Sequence, residues 1–265
     1  AGMVDAMDMH IGRLMDYLKE IGEFENTIFV FTSDNGAEGS NLIGVNGRAA
    51  LGMGNWFDRV GYNSDLETLG EANSFNAIGP NNATVAASPL AYYKFYASEG
   101  GLRVPLVMSG PGINKQNEKT DEFVFVTDLA PTLLSLVDLE AHDGNWKGDS
   151  IEEIIGKDFS AFLQGGESDI HSVSEAIGYE LGGNRALFKG DYKLVFNRSA
   201  VNDQNWHLFN IKTDPGEARD LAQIEPERYA EMLADYEEYE SNNNVLPMPE
   251  GYIQRREIFR GVQFN

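Results

Sequence analysis

The sequence predicts an α/β fold followed by a small antiparallel β-sheet subdomain with a helix packed on it. Three observations carry that expectation. Val4, Met7, Ile11, Leu14, Leu18 and Ile21 recur at steps of three and four, and the β-branched and aromatic run from Thr27 to Thr32 follows a short loop. An amphipathic helix feeding a strand is half of a βαβ unit. A second passage from strand to helix spans Phe123 to Val137. From Ser172 onward, short stretches alternate apolar and polar residues, the period of a sheet with one face in a core.

The first helix is expected to lay its apolar stripe on a sheet and to end at Gly22, a residue suited to a left-handed C-cap. The run 27–32 has no polar alternation, so it reads as a strand buried on both faces of a parallel sheet. It stops on Ser33-Asp34-Asn35-Gly36. A carboxylate and an amide oxygen thus stand where the strand leaves the sheet, the edge at which open α/β sheets bind ligands. Both are hard oxygen donors of the kind that hold Ca²⁺ or Mg²⁺. An ordinary Asp-Asn-Gly turn fits the same residues.

Residues 37–93 form a long insertion rich in Gly, Asn and Ser, with Trp56, Phe57, Tyr62 and Phe75 scattered through it. It reads either as a rim over the Asp34-Asn35 site or as a structural insertion with its own aromatic cluster. Lys94-x4-Glu99-Gly100-Gly101-x-Arg103-Val104-Pro105 follows, then a short strand at Leu106-Val107-Met108. On its own, Lys94 is either a solvated surface lysine or an anion contact. Phe123 to Val126 reads as another short buried strand, and Thr127-Asp128 as the cap of a helix with Pro131 in its first turn.

The expected boundary lies after Gly166, with residues 1–166 as α/β core and 167–265 as the subdomain. There, 185–188 and 192–196 form a hairpin about Lys189-Gly190-Asp191, and Trp206 to Phe209 adds a strand. Asp214-Pro215-Gly216-Glu217 turns the chain, and Pro226 opens a long acidic helix carrying Tyr229, Met232, Leu233 and Tyr236 on one side.

Formal charge is −22 over 265 residues, a field that repels nucleic acid and anionic membranes. No apolar run reaches the roughly 18 residues of a membrane span. Cysteine is absent, which excludes disulfides, thiolate metal sites and a cysteine nucleophile within these residues. Asn82-Ala-Thr84 and Asn197-Arg-Ser199 match the glycosylation acceptor pattern, which also arises by chance. His10, His142, His171 and His207 read as surface or packing residues. The first residues already read as helix, so the numbering is expected to begin inside a fold.

Three patterns in this order carry a resemblance: Thr-Ser-Asp34-Asn35-Gly-Ala-Glu-Gly after a strand; Lys94-x4-Glu99-Gly-Gly-x-Arg103-Val-Pro; and Asn184-Arg-Ala, Lys189-Gly-Asp-Tyr-Lys193, Trp206-x-Leu-Phe-Asn210 and Asp214-Pro-Gly-Glu217. Together they resemble the sulfatase family, arylsulfatase type, of the alkaline phosphatase superfamily, in the later half of such an enzyme. The resemblance implies part of an alkaline-phosphatase-like α/β sandwich, with the small four-stranded subdomain behind it. It implies hydrolysis of a sulfate ester, small-molecule or saccharide, by a formylglycine made from Cys or Ser in a Cys/Ser-x-Pro-x-Arg motif. It places Asp34 and Asn35 on a divalent cation, Ca²⁺ with Mg²⁺ as the alternative, and Lys94 on the sulfate and the leaving-group oxygen. A periplasmic or secreted location also follows from the resemblance.

The chain departs from that pattern in having no Cys, no Ser-x-Pro-x-Arg and no adjacent Asp-Asp. The expectation is therefore a fragment, inactive alone, that binds calcium weakly and self-associates through surface left uncovered. The alternatives are a phosphate or phosphonate ester hydrolase of the same superfamily, or a truncated non-catalytic relative serving as a binding or structural domain.

Overall fold

The computed structural model describes residues 2–39, 57, 59–115, 117–142, 144–166, 170–198, 203–249 and 252. In chain order its regular elements are α1 (Gly2–Glu20), β1 (Phe29–Thr32), α2 (Gly79–Ala87), α3 (Glu99–Leu102), β2 (Leu106–Ser109), α4 (Leu129–Leu136), β3 (Asn145–Trp146), β4 (Asp149–Ser150), α5 (Ser160–Leu163), β5 (Ala176–Leu181), β6 (Asn184–Lys189), β7 (Tyr192–Phe196), β8 (Trp206–Asn210) and α6 (Pro226–Asn242). They fall into two compact units, 1–32 with 105–173 and 33–104 with 174–265.

In the first unit, α1 ends as its sequence predicts. Gly22 takes φ +77°, Gly22 N–H bonds Lys19 O at 3.2 Å and Glu23 N–H bonds Leu18 O at 2.9 Å. A glycine takes that left-handed conformation without penalty. None of the residues of α1 is buried, so its apolar stripe is present but not packed away. β1 pairs with β2 antiparallel, Phe29 opposite Ser109 and Thr32 opposite Leu106. This corrects the expectation of a parallel strand covered on both faces: β1 is half-buried at best and Phe31 is 41% exposed. The run of apolar residues set the strand, but periodicity says nothing about what lies on either side of it.

The core of this unit gathers Ile113, Phe159 and Leu163, with Ile28, Met108 and Leu136 against them. Phe123 to Phe125 carries no strand; the chain is irregular there and then makes a one-turn 3₁₀ helix, Val126–Asp128, leading into α4. A short apolar run without partners in register satisfies its core contacts equally well as irregular chain.

The second unit holds a four-stranded antiparallel meander in the order β5-β6-β7-β8. The hairpin forms where expected, with Lys189 paired to Tyr192 and the turn shortened to Gly190-Asp191, where Gly190 has φ +56°. The alternation that begins at Ser172 becomes a strand only at Ala176. Leu187, Leu194 and Leu208 from one sheet face meet Met232 and Tyr236 of α6 in a closed core. The Nζ of Lys189 ties the hairpin to that helix through Glu231 and Asp235, both at 2.6 Å. In the long insertion, Phe57, Tyr62 and Phe75 pack on one another with centroids 5.0 to 6.4 Å apart. Trp56 lies outside the described residues.

Candidate functional site

Ser33 Oγ donates to the Asn35 carbonyl at 2.8 Å and closes the turn that carries Asp34 and Asn35. Asp34 is exposed and Asn35 half-buried. Two backbone bonds lay the chain after this turn against the lysine loop: Lys94 N–H to Ala37 O at 3.0 Å and Gly36 N–H to Gly101 O at 2.9 Å. The approach requires glycine, since a Cβ on Gly36 would stand 1.8 Å from Gly100 O. The first two sequence patterns are thus one local structure, with Asp34, Asn35 and Lys94 on facing stretches of chain. The Lys94 ammonium bonds Glu38 at 2.8 Å and lies 5.4 Å from the centroid of the Phe95 ring.

The third pattern is bound to the second. Lys193 Nζ donates to Glu99 Oε1 and to Glu217 Oε1, both at 2.9 Å. Glu99 N–H also reaches Glu217 Oε1 at 3.1 Å. Asn197 accepts from Ala97 N–H at 2.8 Å and donates to Ser98 Oγ at 2.8 Å. Asn197 is buried, so this glycosylation-like match is a structural clamp in the folded chain. Burial pulls the Lys193 ammonium down, but the carboxylates of Glu217 and Glu99 outweigh it and hold its pKa above the ordinary value.

Sequence reasoning named Asp34, Asn35 and Lys94 and missed Glu38, the ring of Phe95, and the buried cluster of Glu99, Lys193 and Glu217. Glu99, Lys193 and Glu217 all stood inside quoted patterns, but only their convergence shows that they act on one another. In the first unit, Asp128 is not the side-chain cap of α4 that its sequence suggests. Its carboxylate accepts from Phe125 N–H at 2.7 Å and Lys157 N–H at 2.8 Å, and lies 2.8 Å from His171 Nε2. It makes no side-chain bond to the start of α4, because it ends the preceding 3₁₀ turn and reaches back across it.

The donor chemistry of Asp34 and Asn35 suits a hard divalent cation, though two donors are fewer than the six to eight Ca²⁺ takes. Among the described residues, no group of three His, Asp or Glu side chains is placed to hold a metal ion.

Comparison with known proteins bears on this arrangement. The family model described as Sulfatase matches residues 1–139, just over half of the chain.

The chain belongs to the sulfatase family.

A second model, described as N-sulphoglucosamine sulphohydrolase, C-terminal, matches residues 90–241. An uncharacterised sulfatase of Schizosaccharomyces pombe is 34% identical over the whole of the chain, which covers 47% of that protein. An arylsulfatase of Klebsiella aerogenes is 33% identical over 53% of the chain and 29% of its own length. The solved structure of Ps i-CgsB in complex with k-i-k-neocarrahexaose superposes with a TM-score of 0.62 at 22% identity, over 98% of this chain and 46% of that one. BT4656, solved with its substrate D-glucosamine-2-N,6-O-disulfate, gives 0.57 at 21%, over 93% and 41%. These likenesses establish the alkaline-phosphatase-like α/β fold. This sulfatase-family chain spans less than half the length of the relatives it matches.

Proposed function

We propose that this chain supplies the lysine and part of the cation site of a sulfuric ester hydrolase. The observation that carries the reading is the pairing of Lys94 N–H with Ala37 O and of Gly36 N–H with Gly101 O. It sets the Asp34-Asn35 turn beside Lys94 in a chain of this family. Asp34 and Asn35 would hold a divalent cation, Ca²⁺ or Mg²⁺, whose chemistry is to polarise the sulfuryl oxygens. The Lys94 ammonium stabilises charge on the ester and on the departing oxygen. Glu38 accepts one of its three N–H bonds and keeps the ammonium directed. The positive lysine also draws an anionic ester against the −22 background.

No Cys and no Ser-x-Pro-x-Arg stands in these 265 residues, so the reading includes no turnover by this polypeptide alone. A saccharide sulfate is a reasonable substrate class, since relatives include an N-acetylglucosamine-6-O-sulfatase of Bacteroides thetaiotaomicron, and a periplasmic or secreted location fits such substrates. The test is calorimetric titration of the chain with phenyl sulfate in Ca²⁺, with phenyl phosphate as a competing arm and hydrolysis followed in parallel. The expected result is sulfate binding that weakens about tenfold or more in Lys94→Ala, with no hydrolysis. Binding indifferent to Lys94→Ala would overturn the lysine's role. Turnover that disappears in Asp34→Ala would mean another nucleophile and a different mechanism.

A further inference from the structure

Four aromatic residues stand within five positions around Lys94: Tyr92, Tyr93, Phe95 and Tyr96. Three of them pack together. Tyr92 stacks on Tyr96 at 4.6 Å between centroids, and Tyr93 meets Tyr96 edge-on at 5.2 Å. Phe95 does not join them. Its side chain is 48% exposed, and its backbone takes φ +80°. A bulky L-residue in the left-handed region is an outlier, and such strain persists where the surrounding structure imposes it, often at functional sites. The bonds from Lys94 N–H to Ala37 O and from Tyr96 N–H to Tyr93 O fix the chain on either side of it. The phenyl ring is about half in solvent and lies 5.4 Å from the Lys94 ammonium.

We propose that Phe95 is a platform for the ring of the departing alcohol, so that the site prefers sulfate esters of an aryl or pyranose ring over those of a small alkyl group. This rests on the assignment of Lys94 to the sulfate ester. An ester oxygen at hydrogen-bond distance from Nζ, roughly 3 Å, brings the carbon it carries within reach of the ring. A flat apolar face then covers phenyl surface that is otherwise wet, whereas a methyl group covers little of it. Aryl rings and the C–H face of a pyranose share this chemistry. Inorganic sulfate carries no carbon group to place there.

The experiment is titration of the chain in Ca²⁺ with phenyl sulfate, glucose 6-sulfate, methyl sulfate and inorganic sulfate. The proteins are wild type, Phe95→Tyr, Phe95→Asn and Lys94→Ala. Asn tolerates the left-handed backbone and removes the ring. Wild type and Phe95→Tyr are expected to bind phenyl sulfate about three- to tenfold more tightly than methyl sulfate. Phe95→Asn is expected to bring the two to parity. Glucose 6-sulfate following phenyl sulfate would extend the platform to sugars; following methyl sulfate, it would confine it to aryl esters. Equal affinities in the wild type, or a preference that survives in Phe95→Asn, would overturn the platform while leaving the lysine in place. Sulfate binding unchanged in Lys94→Ala would instead remove the reading beneath it, and the platform with it.

Discussion

Lys193 Nζ lies 2.9 Å from Glu99 Oε1, with the lysine side chain fully buried and the carboxylate 3% exposed. Glu217 takes a second bond from the same ammonium, so one positive charge faces two carboxylates out of water. Such a cluster is tolerable only with its partners complete, because each buried ion has lost its hydration. Glu99 opens the one-turn helix α3 five residues after Lys94, and the cluster pins that turn to β7 and to the Asp214–Glu217 turn.

Removing the cation alone should therefore destabilise the chain strongly. Lys193→Met leaves Glu99 and Glu217 with only the half-exposed Arg103 guanidinium, 3.7 Å from Glu99 Oε2, as counter-charge, and the expected loss is about 3–5 kcal/mol. Urea denaturation at pH 7 measures it as a lower midpoint. Acidification that protonates the stranded carboxylates should return part of the difference. A variant as stable as the wild type at pH 7 would show that the carboxylates relax into solvent.

A second charged cluster gives a pH dependence. His207 Nδ1 lies 2.8 Å from Asp220 Oδ2 and Nε2 lies 2.9 Å from Asp203 Oδ1, while the ring stacks near Phe209. A neutral imidazole donates from one nitrogen only, so two carboxylates select the imidazolium. Burial lowers the imidazole, but Asp203 and Asp220 outweigh it and hold the pKa above its usual value. Because the folded value is raised, the stabilisation is fully present below the unfolded value, near 6.5, and is lost as pH rises through the folded one. Bonds from Asn205 and His207 hold Asp203 down to about 2, so its contribution is lost only in strong acid. Melting temperatures of wild type and His207→Gln should differ most between about pH 4 and 6.5 and converge at alkaline pH. A difference constant from pH 5 to 9 would rule out the imidazolium.

How much of this was legible in the sequence depended on distance along the chain. The β6–β7 hairpin was legible because alternation and a Lys-Gly-Asp turn are local signals. The stop of α1 at Gly22 was legible for the same reason. The Lys193 cluster was not, since its bonds join residues 94 and 24 positions apart and each member alone reads as a surface charge. Phe123 to Val126 misled in the other direction, as an apolar run specifies burial better than it specifies a strand. Asp34 and Asn35 stood out as hard oxygen donors where a strand ends, and motif resemblance assigned them and Lys94 their roles. The glycines between them carried the geometric information, since a side chain on Gly36 or Gly39 would run into the facing segment.

The core beneath the sheet gives a third prediction. Leu208 is fully buried in β8 and packs in the cluster that includes Met232 and Tyr236. Leu208→Ala removes buried methyl groups and leaves a cavity that a paired strand and a 17-residue helix fill poorly, at a cost of about 2–5 kcal/mol. Chemical denaturation should show a lower midpoint with the slope unchanged. A loss below about 1 kcal/mol would mean that α6 moves in to fill the space.

The site itself is most sensitive at a residue with no side chain. A methyl group on Gly36 would meet Gly100 O at 1.8 Å and Gly100 C at 2.8 Å, both backbone atoms that cannot swing away. Gly36→Ala must then part the two segments and break the bond from Gly36 N–H to Gly101 O. The Glu38–Lys94 pair spans the same gap and should be lost with it. The sheet β5–β8 and its core lie outside the clash, so their protection should hold. Amide hydrogen exchange separates these effects: faster exchange at Gly36 and Lys94, whose N–H groups donate across the gap, with unchanged rates in β6 and β7 is the expected outcome. Phenyl sulfate binding should fall alongside, as it does in Lys94→Ala, although the lysine is intact. Unchanged exchange at Gly36 and Lys94 would mean that the backbone accommodates a methyl group there, and that the close approach does not hold the site together.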